Sequence, residues 1–205
     1  YEFMSKYWKD VKEIYLINLD KIPGSPGRTA GAEEIEEAIR VSDLNYEILK
    51  REFGDRVLPV FHQGEPESRL YAVEAMTKYI CVSPRNDLPE GQRVSWSREV
   101  HSKLKPGTLT HGLAATGVSM MTTVPWHSVD SASYVFTAAT GTITLVLNGK
   151  MVNIAVSDKS PMRHEQGQHL TNLNPYSFKL FKDRLNELGY TPEQVAIDHE
   201  ARMAI

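Results

Sequence analysis

The sequence has a single cysteine, Cys81, and no long hydrophobic run. One thiol excludes an intramolecular disulfide and a zinc site built from several cysteines, and it favours a reducing compartment. No apolar run reaches the roughly 18 residues that a bilayer span needs. Residues 1–10 also lack the apolar core of a signal peptide. We therefore expect a soluble, cytoplasmic protein with no membrane partner.

The sequence also lacks a strong excess of either charge. Its 23 lysines and arginines face 26 aspartates and glutamates, which gives a formal net charge of −3. Proteins that bind a phosphate backbone usually carry a basic excess, so binding of nucleic acid would require a local basic patch. The proportions of hydrophobic residues (41%) and charged residues (24%) are typical of a globular protein with a core.

Short apolar runs alternate with helical patterns in the N-terminal and central parts of the chain. Apolar spacing of three and four residues predicts helices over 31–53, 67–77 and 118–124, and a short helix around Val100 that Ser95 or Ser97 caps. The predicted strands cover residues 14–20, 57–61, 79–83, 108–110 and 127–131. This alternation is typical of parallel βα units, so we predict an α/β fold.

A different pattern follows in the C-terminal part. Asn148-Gly149 is the dipeptide most favoured in two-residue hairpin turns, and it separates two apolar runs, so we predict an antiparallel hairpin over 142–156. An amphipathic helix over 175–188 and a short helix from Thr191 are predicted after it. The sequence thus divides into a βα part, residues 1–140, and a hairpin with C-terminal helices, residues 141–205.

Polar side chains follow each of the five predicted strands. Parallel α/β folds bring the carboxyl ends of their strands together, and the loops at those ends form the site. An acid or an imidazole directly after a buried strand must be hydrogen-bonded, paired or used in chemistry. The residues at these positions are Asp20, His62, Gln63, Gly64, Glu65, Ser83, His111, Gly112, Asp130 and Ser131.

Two kinds of chemistry fit this set, and spacing does not separate them because the candidates follow different strands. In the first, Asp20 and Asp130 flank a glycosidic carbon, which one attacks while the other moves a proton or holds the leaving base. In the second, His62, His111 and the two aspartates bind a metal ion that activates water, as in barrel hydrolases. A third hypothesis is a non-catalytic subunit that binds nucleic acid or a partner.

Several of these strand ends resemble the C-terminal part of the tRNA-guanine transglycosylase family. The resemblance is carried by Asp20 and by residues 60–65 (VFHQGE), 111–117 (HGLAATG) and 127–133 (HSVDSAS). It covers about residues 10–140 and is closest to the divergent phage and bacterial branch that handles 7-deazaguanines in DNA. It implies a (β/α)8 TIM-type barrel, of which this chain holds the C-terminal five βα units, and a pentosyltransferase that exchanges guanine for a 7-deazaguanine.

The resemblance also implies a role for each matched residue. Asp130 corresponds to the nucleophile that forms a covalent glycosyl ester, and Asp20 to the aspartate that binds the guanine edge and takes part in proton transfer. Gln63 and Gly64 correspond to a pair that contacts the base carbonyl, and Gly112 lies in a loop beside the pocket. Strand-end position adds three further substrate-binding candidates: His62, Ser83 and His111.

The sequence departs from the family in two ways. The tRNA-modifying members carry a structural zinc held by three cysteines and a histidine after the catalytic strand, whereas this chain has no cysteine after Cys81. We therefore expect no metal or other cofactor, and DNA rather than tRNA as the acceptor polymer. Five βα units are also fewer than eight, so we expect a preceding segment or a partner subunit to complete the barrel.

Overall fold

The computed structural model describes Lys6, Asp10, Val11 and residues 14–205. The parts of the predicted βα domain that fall on residues 1–5, 7–9, 12 and 13 lie outside this description. The chain divides after Asp130 into two compact units. The sequence pattern predicts the boundary after residue 140, but the helix Ser133–Ala139 packs against elements of the second unit.

The first unit contains parallel strands that lie side by side in chain order. Strand β1 (Leu16–Ile17) pairs with β2 (Val57–Leu58). The strands of the four-stranded sheet follow in the order β3 (Val60–His62), β4 (Tyr79–Ser83), β5 (Leu109–Gly112) and β6 (Ser128–Val129). Every one of these pairings is parallel, which confirms the α/β class with parallel strands.

Pro59 alone separates β2 from β3. Its carbonyl oxygen accepts a hydrogen bond of 2.8 Å from the backbone N–H of Cys81, so the segment 57–62 has β1 on one side and β4 on the other. Proline has no N–H to donate, which is why the strand is interrupted at this residue. Among the described strands of this unit, β1 and β6 each have a neighbour on one side only, and these strands form no closed barrel.

Helices connect the strands and cover one face of the sheet. They are α1 (Ala32–Phe53), α2 (Glu67–Met76), α3 (Glu90–Lys103) and α4 (Val118–Thr123), and a 3-10 turn (Gly54–Arg56) follows α1. The apolar sides of α2 and α3 pack on alternate strand residues, in a cluster that contains Phe61, Leu70, Val73, Ile80, Val82 and Val100. Helix α1 packs on Val57 through Tyr46 and Phe53. The other strand parity forms a second cluster around Leu58, Val60 and Cys81, and this face carries the candidate site.

The predicted start of α3 is wrong. The helix begins at Glu90, after Pro89, and neither Ser95 nor Ser97 caps it. Ser97 is fully buried in the helix interior. The first turn of α3 is polar and contains Gly91, so it lacks the apolar spacing from which helices are predicted. Its acidic residue, Glu90, is nevertheless favourable for the dipole at the start of a helix.

The second unit is built on the predicted hairpin, which the structure confirms. Strands β7 (Thr142–Leu147) and β8 (Lys150–Ala155) pair antiparallel around Asn148-Gly149, and both turn residues have positive φ, as a type I′ turn requires. The helices of the unit, which include a 3-10 turn at Leu170–Asn172, are α5 (Ser133–Ala139), α6 (Pro175–Glu187), α7 (Pro192–Ile197) and α8 (His199–Ala204). Phe181 and Leu185 of α6 pack on the hairpin residue Ile143.

None of the helices in the described ranges has both the length and the apolar character that crossing a membrane requires.

Candidate functional site

Asp20 and His62 form the first of two histidine–aspartate pairs. Asp20 follows β1, His62 ends β3, and His62 Nε2 lies 2.6 Å from Asp20 Oδ2. The side chains are 5% exposed for His62 and 15% exposed for Asp20. The two residues meet because β1 runs beside the segment 57–62, so both strands end at the same edge of the sheet.

Glu65 adds a second carboxyl group beside this pair. Its Oε2 accepts a hydrogen bond of 2.8 Å from the backbone N–H of His62. Burial raises the pKa of Glu65, the hydrogen bond from His62 acts in the opposite direction, and the carboxylate of Asp20 raises the pKa slightly further. Two carboxyl groups that both bond to His62, one at its ring and one at its backbone, make this a place where a proton can be held and moved.

His111 and Asp130 form the second pair. His111 lies in β5, Asp130 follows β6, and His111 Nε2 is 3.6 Å from Asp130 Oδ2. The side chain of Asp130 is 50% exposed, whereas that of His111 is 13% exposed. The backbone N–H of Asp130 donates to the carbonyl of Gly112 (3.1 Å), which fixes the residue against the end of β5.

The other oxygen of Asp130 is held by a strained loop. Oδ1 accepts a hydrogen bond of 3.0 Å from the backbone N–H of Ala114, which has a φ of 51°, unusual for a residue with a side chain. Arg93 Nη2 donates to the carbonyl of Ala114 (2.7 Å) and so stabilises this conformation. Arg93 and Ala114 are not among the residues that the sequence predicts for the site, because neither residue type nor spacing indicates such a role.

Two further residues that the sequence analysis missed connect to His111. Its Nδ1 lies 2.6 Å from Ser128 Oγ, and the same Oγ lies 2.6 Å from the hydroxyl of Tyr79. Register brings them together, because His111 faces Ser128 across the β5–β6 pair. Within the described part of the chain, the buried His111 Nε2 has no hydrogen-bond partner.

Cys81 links the two pairs electrostatically. It lies in β4, in register with Val60 on one side and with His111 on the other. Burial raises the pKa of its thiol, and the carboxylates of Asp130 and Asp20 raise it further. Cys81 therefore lies on the strand that separates β3, which carries His62, from β5, which carries His111.

A cleft of about 400 Å³ lies beside the first pair. His62, Gln63 and Ser83 line it together with the loops after β1 and β4, whereas Asp130 and His111 lie outside its lining. The amide oxygen of Gln63 accepts a hydrogen bond of 2.9 Å from the backbone N–H of Arg85, which fixes the Gln63 side chain against the loop after β4.

Local structure explains why glycine occupies the two predicted positions, 64 and 112. Gly64 has a φ of +109°, which permits the turn between Gln63 and Glu65. Gly112 is buried at the end of β5, where a Cβ atom would lie 3.0 Å from ring carbons of Trp126.

The four residues considered as metal ligands form the two separate pairs described above. In residues 14–205 and the three described positions before them, no group of three or more His, Cys, Asp or Glu side chains is arranged to hold a metal ion.

A comparison with models of known protein families, with curated proteins and with solved structures found no match for this chain. The resemblance to transglycosylases therefore rests on the strand-end motifs, and the chemistry must be argued from the geometry of the two pairs.

Proposed function

We propose that this protein exchanges a guanine base in a nucleic acid, DNA in preference to tRNA, for a 7-deazaguanine through a covalent intermediate on Asp130. One observation carries the proposal: two carboxylates, each beside a histidine of the adjacent strand, follow the carboxyl ends of parallel strands and lie in different environments. Asp130 is half exposed, as a group that must reach a substrate needs to be, and Asp20 is largely buried. Two carboxyl groups in unlike surroundings suit two different tasks.

In the first half-reaction, a lone pair of the Asp130 carboxylate attacks C1′ of the nucleoside. The bond from C1′ to the guanine nitrogen breaks, and its electron pair leaves with the base, which takes up one proton. In the second half-reaction, the incoming deazapurine loses one proton and attacks C1′, and the C1′–O bond returns its electron pair to Asp130. The two steps balance without an oxidant or a reductant.

The Asp20–His62 pair supplies and recovers that proton. A distance of 2.6 Å between Nε2 and Oδ2 lets the pair hold one proton between two groups, and Glu65 lies beside it. Because the outgoing base takes a proton and the incoming base releases one, the pair returns to its starting state after each exchange.

The cleft beside this pair is the proposed base site. Its volume of about 400 Å³ accommodates a purine, and Gln63, Ser83 and His62 offer donors and acceptors to its edge. A base held there has left the helical stack, so the acceptor polymer must present a flipped nucleotide.

The order of the strands supports a barrel as the finer description of the fold. Doubly wound sheets reverse strand order at a switch point, whereas in a (β/α)8 barrel each strand lies beside the next one in the chain. The parallel strands of the first unit follow the second pattern. In the proposed barrel, a preceding segment or a partner subunit pairs with the edges of β1 and β6.

Guanine incorporation tests the proposed function. The protein is incubated with labelled guanine and either DNA or tRNA, and we expect label in DNA and a covalent protein–DNA adduct. Asp130→Asn removes the nucleophile, so adduct and incorporation should fall by at least about 10³-fold. Asp158→Asn is the matched control, because the Asp158 side chain is 75% exposed in the second unit, and it should keep full activity.

Other outcomes would overturn the proposal. Incorporation that persists in Asp130→Asn would reject the covalent mechanism. A stoichiometric metal ion that is lost in His62→Ala would instead favour a metal-dependent hydrolase. Absence of incorporation and of any adduct with both polymers would favour a binding subunit.

A further inference from the structure

We propose that His111 is a positioning residue for Asp130, acting at the end of a hydrogen-bond chain that begins at Tyr79. The inference rests on the proposed function, because it assigns a task to a histidine beside the nucleophile. Its basis is the buried His111 Nε2, which has no hydrogen-bond partner among the described residues and faces Asp130 Oδ2 at 3.6 Å.

The chemistry of the groups fixes the direction of the chain. An ionised carboxylate only accepts hydrogen bonds, so a hydrogen bond from His111 to Asp130 requires the proton on the ring nitrogen that faces the carboxylate. In the neutral imidazole, Nδ1 is then an acceptor, and Ser128 donates its hydroxyl proton to it across 2.6 Å. Ser128 Oγ in turn accepts from the hydroxyl of Tyr79, also at 2.6 Å.

This arrangement leaves one donor without an acceptor until the carboxylate approaches it. A separation of 3.6 Å is too long for a hydrogen bond, and a buried N–H without a partner is costly. A movement of Asp130 by less than 1 Å closes the contact, and catalytic hydrogen bonds commonly shorten in this way when substrate fills a site. Ala114 already holds Oδ1, so both carboxylate oxygens would then have a donor.

A donor to Oδ2 stabilises the free carboxylate more than the glycosyl ester, because the ester carries no net charge. Loss of the donor therefore shifts the equilibrium between free enzyme and covalent adduct toward the adduct. A hydrogen bond to a charged group predicts a shift of roughly tenfold. Loss of the donor would change the equilibrium between the free carboxylate and the glycosyl ester of Asp130. Loss of a residue that only supports the fold would change the free energies of both states equally and leave that equilibrium unchanged.

Two amide substitutions separate the two ends of the ring. The amide nitrogen of glutamine reproduces the position of histidine Nε2, and that of asparagine reproduces Nδ1. His111→Gln therefore keeps an N–H donor that faces Asp130. His111→Asn keeps a polar amide that faces Ser128 but has no donor that faces Asp130. The measurement is the concentration of free guanine that reverses half of the covalent adduct on DNA, with thermal unfolding of each variant as a control for folding.

We expect His111→Gln to resemble the unsubstituted protein and His111→Asn to need roughly ten times more guanine to reverse the adduct. Equal values for the two variants, or the opposite order, would overturn the role of His111 and leave the proposed function intact. Failure of the unsubstituted protein to form any adduct would overturn both.

A second measurement needs no substrate. Nitrogen NMR of histidine-labelled protein reports which ring nitrogen of His111 carries the proton, with the signal assigned by its loss in His111→Gln. The proposal expects the proton on Nε2. A proton on Nδ1 would contradict it, whether or not the protein exchanges bases.

Discussion

Arg93 and Ala114 show how residues without chemistry of their own shape the candidate site. Ala114 presents its N–H to Asp130 only because its backbone has a positive φ, and Arg93 holds the carbonyl on the other side of that residue. Strain of this kind is commonly found at functional sites, where surrounding contacts maintain it. Sequence alone could identify Asp130 from its position after a strand. It could not identify Arg93, whose contact depends on the start of α3.

Gly112 provides a test of packing at the same scale. A methyl group at this position would lie 2.8 Å from Cβ of Ala115 and 3.0 Å from two ring carbons of Trp126. Gly112→Ala should therefore lower the free energy of unfolding by about 1–3 kcal/mol, measured by denaturant titration. The control is Gly91→Ala in α3, where no atom lies within 4 Å of the added carbon apart from the chain neighbours and the backbone of the helix itself.

The two glycine substitutions should affect the free energy of unfolding differently. Alanine favours a helix over glycine by about 1 kcal/mol, so Gly91→Ala should leave stability unchanged or raise it. If both substitutions have the same effect, close packing at Gly112 is not the reason for its glycine.

Glu65 makes stability depend on pH. Burial raises its pKa in the folded protein above the usual value of 4.5, so the folded state binds more protons than the unfolded state between the two pKa values. Stability from this group is therefore complete below pH 4.5 and is lost as the pH rises through the folded pKa. Glu65→Gln should be more stable than the unsubstituted protein at pH 7, and this advantage should disappear at about pH 4.

Denaturant unfolding at both pH values measures this difference. Glu193→Gln is the control, because the pKa of Glu193 is lowered by its hydrogen bonds to backbone and to Thr191. An advantage of Glu65→Gln that is equal at both pH values would contradict the assigned cause.

At the scale of elements, the strands and helices were largely predictable because their signals are local. Alternating apolar runs identified the parallel strands, and Asn148-Gly149 identified the hairpin. The hydrogen bonds that connect Tyr79 through Ser128 to His111 were not predictable from the sequence. They depend on the register between β5 and β6 and on the distance that the Tyr79 side chain spans from β4. Polar residues at strand ends indicate a site but not which of them touch.

Asp87, which lines the cleft, joins the loops after β1 and β4. Its Oδ2 accepts from the backbone N–H of Gly27 (2.9 Å) and from Arg85 Nη2 (2.6 Å), and Arg85 lowers the pKa of Asp87 well below its usual range. The carboxylate is therefore charged throughout the physiological range. This contact joins the loop after β1 to the loop after β4, together with a hydrogen bond of 3.4 Å from Arg85 Nη1 to Thr29 Oγ1.

Asp87→Ala should loosen the cleft with little effect on the sheet. We expect about tenfold weaker binding of guanine, measured by calorimetry, and faster proteolysis within residues 21–28. Asp87→Asn keeps an acceptor for the N–H of Gly27, so its affinity for guanine should lie between those of Asp87→Ala and the unsubstituted protein. The link would be irrelevant to the site if Asp87→Ala bound guanine as tightly as the unsubstituted protein.

At the scale of the molecule, the first unit contains the parallel strands, which follow one another in chain order, and the two histidine–aspartate pairs. The hairpin and its helices form the second unit. Sequence patterns identified the α/β class, since alternation of strand and helix is visible residue by residue. They could not show whether the sheet closes, because closure depends on pairing between strands that are far apart in sequence. For the same reason, the sequence predicts which residues belong to the site but not that they form two histidine–aspartate pairs.

The buried thiol in the middle strand has a practical consequence. Cys81 is the only cysteine in the sequence, it is fully inaccessible in the folded structure, and its raised pKa keeps it in the unreactive thiol form. The native chain is therefore already a suitable background for site-directed labelling. A fluorophore or spin label attached to a cysteine introduced in the loop 21–28 would report on that loop alone, without first replacing Cys81.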